Sequence, residues 1–358
     1  MLRIFTDLNH YNPNERGYLT DILRPFVPKN RFAEFGIDDD IIKLVETIEE
    51  SDICLLPMDW HFYIKTNQTN IAEKFIRKAQ NENKKIIVSV RGDYYTSLPN
   101  YDNIIDMYYS AYQSKSHDKT FPLPVIIRDP LSLLELDTIN LRVFNKLPSI
   151  GFCGQSDPNL IISSIKMAIL AWKNIKYYSN LSKYYPGPLI PPTYMRKKVL
   201  DILDNRDRVQ TKFIRRDRYQ GGKSKNEVSL KRLRKEFYQN IKNTDYTLCI
   251  RGGGNFSARF YETLALGRIP IFINTDCILP FNSEIDWKKH LVWIEYDEIF
   301  DIETKINNFH HSFTEQSFQQ LQKENRILWE KYFKFSGFFR QFAFYIKKEL
   351  NIKSISVC

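Results

Sequence analysis

"YTLCIRGGGNFSARFYETLALGRIPIFINT", residues Tyr246 to Thr275, decides how the chain is read. A short apolar run ends at Ile250, three glycines follow Arg251, and a second apolar run starts at Ile269. Between the runs, Phe260, Tyr261 and Leu264 have the spacing of a core-facing helical stripe. Asn255 or Ser257 is placed to cap that helix and Gly267 to close it in the left-handed conformation, giving a body of about Ala258 to Leu266. Strand, glycine turn, helix and strand in one short stretch make a βαβ unit. Apolar runs that are continuous rather than alternating are what strands buried in a parallel sheet look like.

The same grammar recurs on both sides. Upstream, "LRIFTD" (Leu2 to Asp7), "DICLLPMD" (Asp52 to Asp59) and "KKIIVSVRGD" (Lys84 to Asp93) read as strands. The stretches "DDDIIKLVETIEE" and "TNIAEKFIRKAQNENK" between them read as helices. After the proline-punctuated "HDKTFPLPVIIRDP", alternation restarts with "SIGFCGQ" at Ser149, a helix from about Pro158 to Ser179, and strands at "QTKFIRR", "IPIFINT" and "HLVWIEY". Two doubly wound α/β domains facing across a cleft are therefore expected, spanning residues 1–146 and 147–313. A helical segment, 314–358, is expected to pack back toward the first domain.

Composition fits this reading. The 358 residues are 43% hydrophobic and 14% aromatic with only 13 glycines, which excludes disordered and fibrous classes. The five cysteines are odd in number and widely spaced, so neither a disulfide framework nor a zinc pattern is expected. The first residues carry no signal-peptide pattern and no run reaches the roughly 18 to 20 apolar residues of a membrane span, so a cytoplasmic location is expected. The net charge of +10 is compatible with nucleic acid, an anionic membrane surface or a phosphorylated substrate. The basic residues are dispersed apart from "KFIRRDRYQGGKSKNEVSLKRLRK" (Lys212 to Lys235), and no nucleic-acid module accompanies them. Peripheral contact with a membrane is a use of the charge that stays open.

Arg259 lies in the first turn of the expected helix, at the positive end of its dipole, and precedes Glu262 in the weaker order for an ion pair. The placement makes sense if an anion occupies the helix N-terminus. Backbone amides of Gly252 and Gly253, Arg251 at the strand end, and Arg259 describe a diphosphate cradle. Glu262, one turn deeper, could accept hydrogen bonds from the vicinal hydroxyls of a ribose. A dinucleotide fingerprint lacks its third glycine, because Ser257 stands there. A Walker pattern fails too: "QGGKSK" at Gln220 has Asp217 where the earlier glycine belongs.

From Arg234 to Trp293 the chain resembles the exostosin-type glycosyltransferases of the GT47 family. The resemblance rests on "RKEFYQNI", "YTLCIRGGGNFSARFYETLALGRIPIFI", "LPF" at Leu279 and "IDW" at Ile285, with "SIGFCG" extending it weakly upstream. It implies a GT-B architecture and inverting transfer of a sugar from a nucleotide diphosphate donor, usually a UDP-sugar, to a glycan, polysaccharide or glycolipid hydroxyl. No obligatory metal is implied, and "DDD" at Asp38 reads as an N-cap cluster rather than a metal motif. By the same resemblance Arg251 and Arg259 would neutralise the departing diphosphate, and Glu262 would hold the ribose. Asn255 and Ser257 would add contacts near the phosphates, and Arg216 or Arg218 would close over them. The alternative is a nucleotide-binding module of the same fold without transfer activity.

A single inverting displacement needs a base for the acceptor hydroxyl. In open α/β sheets ligands sit beyond the carboxyl ends of the strands, where Asp7, Asp59 and Asp93 stand. Asp93, beside a glycine and a neighbouring charge in "RGD", is favoured, with Asp59 next; His10 and His61 are lesser candidates.

Overall fold

A computed structural model describes residues 1–27, 31–38, 40–156, 160–217 and 227–352, in two compact units: 1–124 with 331–358, and 125–330. The first holds a six-stranded sheet of β1 (Leu2–Phe5), β2 (Ile42–Val45), β3 (Ile53–Leu55), β4 (Ile86–Val90), β5 (Ile104–Tyr108) and β6 (Thr120–Pro122). Its order is β2-β1-β3-β4-β5-β6 and every pairing is parallel. Residues of β3, β4 and β5 are buried throughout, as strands covered on both faces must be. Helices α1 (Trp60–Lys65) and α2 (Thr69–Asn81) fill crossovers; Ala72, Phe75, Ile76 and Ala79 form the buried stripe of α2.

The second unit holds a five-stranded sheet: β7 (Ser149–Gln155), β8 (Gln210–Arg216), β9 (Tyr246–Cys249), β10 (Ile269–Asn274) and β11 (Val292–Glu295). Its order is β8-β7-β9-β10-β11, again all parallel. The expected α/β chain with two doubly wound sheets is what folds. Helices here include α3 (Leu160–Tyr178), α4 (Pro192–Asp204), α5 (Glu227–Lys242), α6 (Ala258–Ala265), α7 (Ile302–His310) and α8 (Glu315–Tyr332). Ile150, Phe152, Leu248 and Ile271 of the sheet pack with Val199 and Leu203 of α4, Ile302 and Ile306 of α7, and Phe318 of α8. The last helix, α9 (Phe335–Glu349), belongs to the first unit.

Two expectations are corrected. "DDDIIKLVETIEE" is not helical: Ile42–Val45 pairs with β1 in the register Leu2↔Ile42 to Phe5↔Val45. Its β-branched residues gain more from a ladder beside β1 than from a short isolated helix. With no helix to cap, Asp38 instead forms an ion pair with Arg340 of α9. The division between the units falls at Pro124 and Val125 rather than at 146 and 147, because the intervening segment is tied to the second sheet. Arg142 Nε bonds the buried Asp245 at 2.7 Å, and Arg268 Nη2 bonds the Asn140 carbonyl at 2.7 Å.

Gly267 closes α6 with φ +64°, and a Cβ there would meet Ile139 Cδ1 at 2.5 Å and the Gln322 carbonyl oxygen at 2.8 Å. Left-handed backbone and overpacking each disfavour a side chain, so Gly267→Ala is expected to cost about 2 to 4 kcal/mol in urea denaturation. Gly252→Ala, whose Cβ finds nothing nearer than Arg196 Nη2 at 3.9 Å, should cost under about 1 kcal/mol on the same measurement.

Candidate functional site

The order β8-β7-β9 places the topological switch point of the second unit between β7 and β9, the place where doubly wound sheets bind ligands. Arg259, in the first turn of α6, crosses that point. Its Nη2 donates to the Cys153 carbonyl of β7 at 2.9 Å, and its Nη1 to the Leu248 carbonyl of β9 at 3.4 Å. The guanidinium lies 4.2 Å from the centroid of the Phe152 ring and 5.6 Å from that of Phe237. Gly154 makes room, since a Cβ there would stand 2.7 Å from Arg259 Nη2. Burial pulls the Arg259 pKa down, its Nε is buried without a hydrogen-bond partner, and no carboxylate pairs with it among the described residues. A half-buried cation whose hydrogen bonds go only to carbonyls is built to receive an anion.

Glu262 does not pair with Arg259. Its Oε1 accepts from Arg234 Nη2 of α5 at 2.7 Å and from the Tyr238 hydroxyl at 3.4 Å, while Oε2 takes no hydrogen bond among the described residues. Burial raises the Glu262 pKa, and burial first, then the Glu262 charge, pushes Tyr238 up to about 12. Arg251 is buried at the end of β9, with Nη2 donating to the Gly253 carbonyl at 3.1 Å and Nη1 to Asn255 Oδ1 at 3.3 Å. The fully buried Asn255 is a strut. Its Oδ1 also accepts from Thr275 Oγ1 at 2.8 Å and its Nδ2 donates to the Asp276 carbonyl at 2.9 Å, tying the glycine turn to the end of β10. The thiols of Cys249 and Cys277 are pushed up to about 12 by burial, which removes them as nucleophiles.

The stretch that holds this geometry, residues 191–309, matches the Exostosin GT47 domain family, over one third of the chain. That stretch is similar to the exostosin GT47 domain. Exostosin-1 of Drosophila melanogaster is 30% identical over 93 residues, covering 26% of this chain and 12% of that protein. The probable glucuronosyltransferase GUT1 of Oryza sativa subsp. japonica is 29% identical over 72 residues, 20% of this chain and 17% of the other. The matches therefore span less than a fifth of these relatives' length. A glycosyltransferase from Rickettsia africae ESF-5 aligns over 99% of both chains, but at 12% identity and a TM-score of 0.40, a likeness that carries no argument.

Within the matched stretch, two expected features differ. Gly252 and Gly253 are not in the left-handed region, so the turn does not demand glycine for its backbone; Gly252 N donates to the Phe256 carbonyl at 3.0 Å. Ser257 is the residue before α6, yet its side chain makes no capping bond, the Phe260 amide bonding the Ser257 carbonyl instead. Arg216 is held by Glu236 of α5, and Arg218 lies outside the described residues, as does "QGGKSK".

Three residues of this site escaped the sequence reading. Arg196 on α4 donates to the Gln155 carbonyl at 3.2 Å and the Arg251 carbonyl at 2.8 Å, joining the ends of β7 and β9. Arg234 and Tyr238 are one helical turn apart on α5, a spacing visible in "RKEFY" that signals a shared face without saying what it meets.

The carboxyl end of the first sheet gathers a second polar cluster. Asp21 accepts from the Tyr109 hydroxyl and pairs with Arg24 at 2.6 Å and Arg91 at 3.2 Å; Tyr109 is pushed well up, chiefly by burial. Asp59 is buried and caps α1, its Oδ1 accepting from the Phe62 amide at 3.1 Å. Burial raises its pKa to about 7. Burial lowers the His61 pKa, and its Nε2 meets Thr96 Oγ1 at 2.9 Å. Asp7 accepts from the Asn9 amide at 3.0 Å and side chain at 2.9 Å, while His10 packs edge-on against Tyr63 and Phe75. Asp93 differs from all of these: it is exposed, and its carboxylate has no hydrogen bond or ion pair among the described residues.

Proposed function

We propose that this chain is a glycosyltransferase that moves a sugar from a nucleotide diphosphate sugar, a UDP-sugar, to the hydroxyl of a glycan, polysaccharide or glycolipid. The observation that carries the reading is Arg259: a half-buried guanidinium with no carboxylate partner among the described residues, lying across the switch point of the stretch that matches the exostosin GT47 domain. The diphosphate would sit against Arg259 and Arg251, whose charges offset the negative charge that grows on the leaving group and do the work a divalent ion does elsewhere. Glu262, with Oε1 fixed by Arg234 and Tyr238, would offer Oε2 to the ribose hydroxyls.

The acceptor's proton would go to the Asp93 carboxylate as the acceptor oxygen forms its bond to the anomeric carbon from the face opposite the diphosphate. The bond from that carbon to the phosphate oxygen breaks, its electron pair leaves with the nucleotide, and the anomeric configuration inverts. Asp93 is chosen because each rival is engaged: Asp7 and Asp59 as caps, Asp21 by two arginines. The paired units, each with its own doubly wound sheet, support the GT-B reading of donor and acceptor halves.

A thermal-shift screen of nucleoside diphosphates and nucleotide sugars tests the donor site. One nucleotide class at about 100 times its Kd should stabilise the wild type by about 2.7 kcal/mol, and Glu262→Gln, which keeps the volume but not the charge, should lose most of that. A wild type that responds to none of them refutes the assignment. Binding without sugar transfer to any acceptor would leave a nucleotide-binding module.

A further inference from the structure

Helix α3 (Leu160–Tyr178) presents an exposed apolar face that no described residue of its unit covers. Ile161, Ile165, Ile169, Trp172 and Ile175 follow one another at spacings of three and four, so they share one side of the helix. All are exposed: Ile165 55%, Ile169 49%, Trp172 56% and Ile175 57%. The opposite side, with Ser163, Leu170, Ala171 and Asn174 buried or half-buried, is the side that rests on the protein. Outward apolar surface of this extent is rare on a soluble chain and marks a contact with something.

Charge says what that something is. From Leu160 to Lys183 there is no acidic residue, while Lys166, Lys173, Lys176 and Lys183 are all basic. Lys176 lies over the Trp172 ring at 5.2 Å, which puts a cation among the apolar side chains rather than on the far side. Trp172, Tyr177 and Tyr178 supply rings with one apolar and one polar end, the kind that collects at membrane interfaces. A second copy docked through the same face would bring lysines against lysines with no carboxylate to pair them. An anionic lipid surface offers apolar depth for the isoleucines and negative charge for the lysines. No helix among the described residues is long and apolar enough to cross a membrane. Helix α3, about 28 Å long at its usual rise, would therefore lie in the interface plane.

We propose that α3 is an interfacial helix that holds the protein against an anionic phospholipid bilayer. The inference stands apart from the donor-site reading, since it uses none of the same residues.

Sedimentation with phosphatidylcholine vesicles, with and without phosphatidylglycerol, tests it on the full chain. The wild type should bind the anionic vesicles and bind neutral ones far more weakly. Ile165→Glu combined with Trp172→Glu should weaken binding to anionic vesicles at least about tenfold. Lys166→Glu, Lys173→Glu and Lys176→Glu together should weaken it by roughly a hundredfold, and this second set keeps the test alive if the first fails to fold. The stabilisation by a nucleotide should be the same in every variant, so a failed donor site and a failed lipid site are told apart. A wild type that binds neither vesicle, or variants that bind as well as wild type, would overturn the proposal. A wild-type dimer that dissociates on introducing Ile165→Glu and Trp172→Glu, without vesicle binding, would make the face an interface between copies and overturn it as well.

Discussion

Arg259→Ala is expected to abolish stabilisation by the nucleotide and to lower turnover about 10²- to 10³-fold, while moving the melting temperature of the unliganded protein by only a few degrees. The small effect on the fold follows from what the side chain costs and gives. Its stacking on Phe152 contributes about 0.5 to 2 kcal/mol, and its bonds to the Cys153 and Leu248 carbonyls add to that. Against these stands a charge partly withdrawn from water without a carboxylate partner among the described residues, and that burial lowers its pKa. The two sides nearly cancel in the free protein. They no longer cancel when a diphosphate is present, because the anion supplies the missing partner and the free protein does not. Differential scanning fluorimetry with and without the nucleotide separates the cases. A large loss of stability in the unliganded Arg259→Ala protein, with nucleotide stabilisation retained, would make the arginine a structural clamp on the ends of β7 and β9. Gly154→Ala probes the same point from the other side, since its Cβ would push on Arg259 Nη2.

Much of this arrangement could be read in the sequence because it is local. The strands Ser149–Gln155 and Gln210–Arg216 form at the bounds their apolar runs suggest, and α6 ends at Gly267's turn as its capping pattern implies. The strand at Ile42–Val45 was misread because its apolar residues also fit a helical period, and what decides between the two is β1, forty residues away in the chain. Ile104–Tyr108 escaped notice for a related reason: Asp106 interrupts its apolar run, and the Thr120 hydroxyl bonding that carboxylate at 3.0 Å is invisible until the strands are paired. In the site, Arg259 and Glu262 were legible as an odd pair. Their actual partners were not, since Arg234 lies 28 residues from Glu262 and Cys153 lies 106 from Arg259. Local pattern shows which residues are out of place for a simple helix; tertiary contact shows what they serve.

Asp93→Asn and Asp59→Asn should divide catalysis from stability. If Asp93 takes the acceptor's proton, its amide variant loses about 10²- to 10⁴-fold in kcat and keeps the full stabilisation by the nucleotide, because the donor is bound by other residues. Asp59→Asn should do the reverse. Asparagine caps a helix as well as aspartate does, so α1 keeps its amide partner. The pKa of Asp59 rises from an ordinary 3.8 to about 7 on folding, so the folded state prefers the protonated form. Its carboxyl then contributes most below about pH 4 and loses that contribution as the pH climbs toward 7, at about 1.4 kcal/mol for each unit of difference between folded and unfolded values. Denaturation across this range should show Asp59→Asn matching wild type at pH 4 and exceeding it at pH 7. The opposite pairing, in which Asp59→Asn is inactive and Asp93→Asn active, would move the base to Asp59. A pKa near 7 suits a proton acceptor, yet a carboxylate buried under α1 and bonded to the Phe62 amide would first have to be uncovered for an acceptor hydroxyl to reach it.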